Sequence, residues 1–137
     1  MSPSLAGLRI VVVDDDDDSR WLVATVLRLY SAEVLACDSA DQALKAIADF
    51  NPNVIVSDIM MPDHDGYWLV HEIRKLGRGL GGTPAIALSA CATKDDQRRS
   101  SVAGFQRHIL KPFEFEKLIQ AICELAPANG KWPGDRK

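Results

Sequence analysis

Cysteine, positive charge and long apolar runs are all scarce in this 137-residue chain. Its three cysteines, Cys37, Cys91 and Cys123, are widely spaced and form no C-x-x-C pair, so we expect neither a disulfide framework nor a zinc site. The net charge of -3 provides no basic surface for DNA, RNA or anionic lipids. We therefore expect no nucleic acid binding by this chain.

The apolar runs, such as residues 10–13, have the length of a strand and are too short to cross a membrane. Residues 1–7 lack the basic part and the long apolar part of a signal peptide. We therefore expect a cytoplasmic protein without membrane insertion. The hydrophobic fraction of 47% and the charged fraction of 26% are typical of globular proteins that bury a core.

Strand-like and helix-like stretches alternate along the chain, which is typical of repeated βα units with right-handed crossovers. The predicted strands span 8–13, 33–37, 54–57, 85–88 and 107–110. The predicted helices span about 19–30, 67–76, 94–102 and 114–125, and a further one, the second in chain order, runs from the cap at Ser39 until Pro52 stops it. The length suits one α/β domain with a doubly wound parallel sheet of five strands flanked by five helices. We place it at residues 8–126, between an N-terminal lead at 1–7 and a flexible tail or linker stub at 127–137.

Several polar residues indicate where the helices begin. Ser19 is predicted to cap the first helix, and Ser39 with Gln42 is predicted to form a capping box at the second. The acidic residues 16–18 are predicted to favour the dipole of the first helix and to cap it rather than to bind a metal. The stretch 94–102 is polar and short of residues to bury, so we expect this helix to be the one that moves.

Charged residues directly follow three of the predicted strands. Asp14 and Asp15 come after the first strand, Asp58 after the third and Lys111 after the fifth. Because the carboxyl ends of parallel strands share one edge of a sheet, these residues can converge in one crevice. A hard cation such as Mg²⁺ needs oxygen ligands, and a phosphoryl group needs a positive partner. The pattern therefore predicts a protein that carries phosphate on an aspartate.

Five separated motifs extend this pattern along nearly the whole chain. They are Val11-Val12-Val13-Asp14-Asp15-Asp16, Ser57-Asp58-Ile59-Met60-Met61-Pro62 with Asp65-Gly66, Leu88-Ser89-Ala90, Ala103-Gly104-Phe105 and Lys111-Pro112-Phe113. In order and spacing they resemble the receiver domain of bacterial two-component response regulators over about residues 8–126, and five motifs in register are far more specific than one. The resemblance implies a flavodoxin-like fold with the strand order 2-1-3-4-5.

The resemblance implies a role for each matching residue. Asp58 would be the phosphoacceptor, and its carboxylate would attack the phosphorus of a phosphohistidine. Asp15 would bind Mg²⁺ or Mn²⁺ directly and Asp14 directly or through a water. Asp58 and the backbone carbonyl of Met60 would complete the protein's ligands. Lys111 would pair with the carboxylates before the transfer and with a phosphoryl oxygen after it.

Ser89 and His108 would be the switch residues. By the same resemblance, Ser89 would turn its hydroxyl onto the phosphoryl group and pull the following loop inward. His108 stands three residues before Lys111, where the family often has a tyrosine or phenylalanine that swings inward on activation. A histidine there either swings in the same way or is a half-exposed strand residue of little effect, and both alternatives stay open.

The implied function is a phosphorylatable switch or phosphorelay module, not an enzyme beyond its own phosphotransfer and slow dephosphorylation. Its partners would be a sensor histidine kinase or histidine phosphotransfer protein and a downstream protein target. The receiver would be either a stand-alone regulator or part of a hybrid histidine kinase. An aspartyl-phosphate hydrolase of the haloacid dehalogenase type is disfavoured because residues 14–18 lack its D-x-D-x-T pattern. A pseudo-receiver is disfavoured because Asp58, Ser89 and Lys111 are intact.

Overall fold

The structure is a computed structural model that describes residues 4–77, 79–91 and 93–126. The strands are β1 Arg9–Val13, β2 Glu33–Cys37, β3 Val54–Asp58, β4 Ala85–Ser89 and β5 Arg107–Leu110. The helices are α1 Asp17–Leu29, α2 Ala40–Phe50, α3 Gly66–Arg74, α4 Lys94–Ala103 and α5 Phe115–Leu125, and a short 3₁₀ helix at Leu80–Gly82 precedes β4. Of the predicted terminal segments, residues 1–3 and 127–137 lie outside the described residues. Within the described residues, no helix has both the length and the apolar character needed to span a membrane.

All five strands pair in parallel in the order β2-β1-β3-β4-β5, which confirms the predicted doubly wound α/β fold. β1, β3 and β4 are almost entirely buried because helices cover both faces of the sheet, as their continuous apolar runs predict. In the register of the sheet, Val13 lies beside Ser57, and Ser89 lies beside Leu110. The carboxyl ends of β1, β3, β4 and β5 therefore lie together at one edge.

Side chains of β1 alternate between two apolar layers. Ile10 and Val12 face the layer that contains residues of α1 and α5, and Val11 and Val13 face the layer that contains residues of α2 and α3. Leu5, within the predicted N-terminal lead, is buried in the first layer, and its N–H donates to a carbonyl oxygen at the end of α1 at 2.7 Å. The packed unit therefore begins upstream of β1.

The first turn of α1 is capped by Asp16, so the prediction that Ser19 is the N-cap is wrong. A carboxylate oxygen of Asp16 accepts a hydrogen bond from the Ser19 N–H at 2.8 Å. This bond satisfies an amide that has no partner inside the helix, and it lowers the pKa of the Asp16 carboxyl group. The predicted capping role of residues 16–18 is confirmed for Asp16.

The predicted capping box at α2 forms only in half. The Ser39 hydroxyl accepts from the Gln42 N–H at 3.1 Å, which confirms Ser39 as the N-cap. The Gln42 side-chain oxygen, however, accepts from the Asp38 N–H at 2.7 Å instead of from the Ser39 N–H. A complete capping box, absent from the sequence prediction, joins Thr93 and Asp96 at the start of α4.

α4 is held mainly at its C-terminal end. Within this helix only Ser100 is buried. Arg74, the last residue of α3, donates to the Gly104 carbonyl oxygen at 2.6 Å and also to the carbonyl oxygens of Gly81 and Thr83. Gly104 has a φ of 122°, and a Cβ there would lie 2.9 Å from Arg74 Nε, so this position requires glycine.

Candidate functional site

Three carboxylates gather at the edge of the sheet where β1 and β3 end. Asp14 and Asp15 follow β1 and Asp58 ends β3, and one oxygen from each lies within 4.8 Å of the other two. Asp14 is buried and Asp58 is 9% exposed, whereas Asp15 faces solvent. The three carboxylates are thus buried at Asp14 and Asp58 and accessible to solvent at Asp15.

Lys111 approaches this group from the β5 side. Its Nζ is 3.2 Å from Asp58 Oδ1 and 3.7 Å from Asp14 Oδ2. Its backbone N–H donates to the Ser89 carbonyl oxygen at 2.8 Å, which fixes the lysine at the end of the sheet. One ammonium group therefore contacts two of the three carboxylates.

Burial raises the pKa of the Asp14 and Asp58 carboxyl groups above the ordinary value. Repulsion between the carboxylates acts in the same direction, while Lys111 and the hydrogen bonds from the Asp16 and Ile59 N–H groups oppose it. A single lysine side chain accompanies three carboxyl groups, so its one positive charge cannot balance three carboxylates. An all-oxygen donor set with an open side suits Mg²⁺, which keeps several waters when it binds a protein.

Ser89 and His108 contact the same peptide segment. Ser89 ends β4 and is 2% exposed, and its Oγ accepts a hydrogen bond from the Cys91 N–H at 3.0 Å. His108 Nε2 donates to the Cys91 carbonyl oxygen at 3.0 Å, because a carbonyl can only accept. His108 Nδ1 is buried and has no hydrogen-bond partner among the described residues. Cys91 is therefore held between β4 and β5.

The response regulator receiver domain family matches this chain over residues 10–123. The chain belongs to this family. It is 36% identical over 129 residues to an uncharacterized 14.6 kDa protein of Leptolyngbya boryana, which covers 92% of this chain and 98% of that protein. It is 34% identical over 122 residues to protein PilG of Pseudomonas aeruginosa, which covers 89% of this chain and 90% of that protein.

Solved structures share the fold of this receiver domain. The receiver domain of the Francisella response regulator 1452 has a TM-score of 0.79 at 29% identity, over 86% of this chain and 95% of that chain. The Vibrio cholerae chemotaxis protein CheY4 has a TM-score of 0.80 at 22% identity, over 90% of this chain and 99% of that chain, and supports the fold alone. The predicted family and strand order are confirmed.

Receiver domains similar to this one also occur inside longer proteins. The chain is 30% identical over 136 residues to the hybrid signal transduction histidine kinase D of Dictyostelium discoideum, but it spans only 8% of that protein. The chain thus matches nearly the full length of some relatives and only a small part of others. A stand-alone regulator and a part of a hybrid kinase both remain open for this receiver domain.

The loop between β3 and α3 of this receiver domain contains Met60 near its start and is followed by Gly66. Met60 has a 68% exposed side chain, and the assignment of its backbone carbonyl as a metal ligand stays a prediction. Gly66 begins α3, and a Cβ there would lie 2.5 Å from the Asp58 carbonyl oxygen and 2.9 Å from Ile59 Cα. Glycine therefore allows α3 to pack directly against the end of β3.

Arg20 supports the acidic loop of this receiver domain, and the sequence prediction missed it. Its Nη1 donates to the Asp14 backbone carbonyl oxygen at 2.9 Å, and its Nη2 donates to the Asp17 carboxylate at 2.6 Å. The available signal was a cation placed two residues after the five aspartates of residues 14–18.

Proposed function

We propose that this receiver domain accepts a phosphoryl group on Asp58 from a phosphohistidine, in a reaction that requires Mg²⁺ or Mn²⁺. The observation that carries the proposal is the Asp58 carboxylate beside both Lys111 Nζ, at 3.2 Å, and the carboxylates of Asp14 and Asp15. An aspartate can attack an anionic phosphoryl group only if nearby positive charge offsets the repulsion. We place this function in residues 8–126, which contain the whole family match.

The transfer exchanges one bond to phosphorus for another. An Asp58 oxygen forms a bond to phosphorus while the bond from phosphorus to the donor's imidazole nitrogen breaks. The imidazole keeps the electron pair of the broken bond and takes a proton from solvent. Asp14, Asp15, Asp58 and the Met60 carbonyl would hold the metal ion, which when bound supplies positive charge to the phosphoryl oxygens. Lys111 then pairs with a phosphoryl oxygen instead of the Asp58 carboxylate.

The phosphohistidine of this proposal belongs to a sensor histidine kinase or a histidine phosphotransfer protein. The phosphorus that its imidazole carries must come within bonding distance of an Asp58 oxygen, so the donor protein must cover the surroundings of the site. An apolar cavity of about 450 Å³ lies beside Asp14, and its lining includes Leu22, Phe113 and Phe115. An apolar surface beside Asp14 and Lys111 supports a protein partner, which can bury it on binding.

Incubation with acetyl phosphate, with and without Mg²⁺, followed by intact mass measurement tests the proposal. We expect one added phosphoryl group, and we expect EDTA to prevent its addition. Continuous release of inorganic phosphate without a stable product would indicate a hydrolase. No added mass would indicate a pseudo-receiver, and either of these results would contradict the proposal.

We further propose that phosphorylation acts through Ser89, Cys91 and His108. The Ser89 Oγ already accepts the Cys91 N–H, and a serine that turns onto a phosphoryl group gives up that bond. Cys91, the residue whose N–H is released, is also the residue whose carbonyl oxygen His108 contacts. α4, with its single buried residue, is the element that the released loop would displace, toward a partner that detects the change.

Ser89→Ala is expected to accept phosphate but to respond weakly to it. Beryllofluoride, which mimics an acyl phosphate, should change amide hydrogen exchange over residues 93–110 in the wild-type protein. The variant should lose most of that change, because a hydrogen bond to a charged group is worth about 2 kcal/mol and shifts a population more than tenfold. Ser101→Ala, an exposed serine on α4, is the matched control and should respond like the wild type. An undiminished response in Ser89→Ala would refute the role of Ser89.

A further inference from the structure

Asp14, Asp15 and Asp16 connect β1 to α1, Asp17 and Asp18 begin that helix, and the charges of all five repel one another. Arg20, in the first turn of α1, spans this loop with its guanidinium group. Nη1 donates to the Asp14 backbone carbonyl oxygen at 2.9 Å, and Nη2 donates to the Asp17 carboxylate at 2.6 Å. The Arg20 side chain is only 20% exposed, but the Asp17 side chain is 87% exposed, so the bond to the Asp14 carbonyl oxygen is the sheltered one of the two. One rigid group thus ties the end of β1 to the start of α1.

The bond to Asp14 determines the direction of Asp15. The carbonyl group of Asp14 and the N–H of Asp15 belong to one peptide plane, so a fixed Asp14 oxygen fixes the path of the chain into Asp15. The Asp15 carboxylate faces solvent and has no hydrogen bond or ion pair within the described residues. Asp14, by contrast, is also held by the Asp16 N–H at 2.9 Å and by the Cys37 carbonyl oxygen at 3.1 Å. Asp15 therefore depends on the backbone for its orientation.

We propose that Arg20 is a positioning residue for the metal site and that it acts through Asp15. This inference rests on the proposed function, because the metal is the one that phosphotransfer requires there. Ligands that already point at the cation lose less conformational freedom when it binds. Groups that orient a metal ligand raise the affinity of the site even when they never touch the metal. Arg20 accordingly increases the affinity for Mg²⁺ although its own charge is positive.

Charge and geometry act in opposite directions at Arg20. A positive charge close to the site repels Mg²⁺, but the Asp17 carboxylate at 2.6 Å offsets that charge. Removal of the guanidinium group leaves the Asp14 carbonyl oxygen without this donor and frees the peptide plane that leads to Asp15. Loss of such an orienting group lowers metal affinity by about 10-fold to 100-fold. We therefore expect the loss of orientation to outweigh the loss of repulsion, so that removal of the guanidinium group weakens Mg²⁺ binding.

The experiment is a Mg²⁺ titration of the metal-free protein followed by amide NMR shifts, with no phosphoryl donor present. Arg20→Met removes the charge and both bonds, and we expect the Kd for Mg²⁺ to rise about tenfold. Arg20→Lys keeps the charge, but its single ammonium nitrogen cannot span the Asp14 carbonyl oxygen and the Asp17 carboxylate as the forked guanidinium group does, so the Kd should rise by a smaller factor, about threefold. Arg28→Met is the matched control. Arg28 lies on the same helix and donates to the Val34 carbonyl oxygen at 3.1 Å, away from the site.

Melting temperatures separate positioning from a general loss of structure. Arg20→Met and Arg28→Met should melt at similar temperatures and differ in Mg²⁺ affinity. The slower phosphorylation of Arg20→Met by acetyl phosphate should recover in large part as Mg²⁺ is raised. If Arg20→Met does not fold, Arg20→Lys supplies the comparison.

Unchanged or tighter Mg²⁺ binding by Arg20→Met would overturn the positioning role. An equal loss of affinity in Arg28→Met would overturn it too, because the effect would then not depend on contact with the acidic loop. A failure of the proposed function can be distinguished from a failure of the positioning role. A wild-type protein that binds Mg²⁺ with the expected differences among variants, yet never gains phosphate, would support the role of Arg20 and contradict phosphotransfer.

Discussion

Asparagine at position 58 is expected to reduce Mg²⁺-dependent phosphorylation by acetyl phosphate to background. The asparagine side chain has nearly the shape of aspartate but lacks the anionic oxygen that attacks phosphorus. Lys111 Nζ is closer to Asp58 than to Asp14, at 3.2 Å against 3.7 Å, which favours Asp58 as the single acceptor. Intact mass before and after incubation measures the loss, and full phosphorylation of the variant would show that another residue accepts the phosphate.

The same substitution should stabilise the metal-free protein. Burial raises the folded-state pKa of Asp58, so the folded state loses stability as the pH rises from the ordinary value to the raised one, and the loss persists above it. Asparagine removes the charge, so the free energy of unfolding of the metal-free protein at neutral pH should rise. Asp63→Asn is the control in the same loop. Asp63 is exposed with a φ of 67°, which asparagine adopts readily, so this variant should be phosphorylated and melt like the wild type.

Arg74→Met is expected to lower the free energy of unfolding by roughly 3 kcal/mol. The carbonyl oxygens of Gly81, Thr83 and Gly104 would lose the guanidinium donor, and methionine offers no replacement. Each buried acceptor left unpaired costs about 1–3 kcal/mol, less where water can reach it. For a domain of this size the melting temperature should fall by about 10 °C, measured by thermal and urea unfolding.

Arg98→Met is the matched control for this prediction. Arg98 lies on α4, but its side chain is 75% exposed and reaches Asp95 only at 3.8 Å. A change within about 0.5 kcal/mol is expected there. An Arg74→Met protein as stable as Arg98→Met would mean that the guanidinium group of Arg74 is not what joins α3 to its neighbours.

The sheet and the charged cluster are predictable from the sequence for one physical reason. β1, β3 and β4 are predicted from apolar runs bounded by turn or charged residues. The bounds of β2 and β5, which are less apolar, agree with the prediction at Glu33–Cys37 and Arg107–Leu110. The meeting of Asp14, Asp58 and Lys111 then follows, because parallel strands bring their carboxyl ends to one edge whatever the loops do.

Contacts between alternative or distant partners are not predictable in this way. Asp16 and Ser19 are both good N-cap residues, and only the path of the chain out of β1 decides that Asp16 caps α1. Gln42 is placed for a capping box, but it bonds the Asp38 N–H. Arg74 contacts Gly104 from 30 residues away, and no local pattern around either residue marks the pair.

α4 is attached mainly at its C-terminal end, so we expect phosphorylation to tilt the helix about that end. Arg74 holds Gly104 at the C-terminal end, whereas the capping box of Thr93 and Asp96 at the other end lies within the helix and its N-cap, so we expect the N-terminal end to move more. Its 10 residues form an arm about 15 Å long, so a tilt of about 10° displaces the first turn by about 3 Å and the last turn hardly at all. If phosphorylation tilts α4 in this way, we expect a protein that detects the change to contact the N-terminal turns of the helix rather than the end beside Gly104.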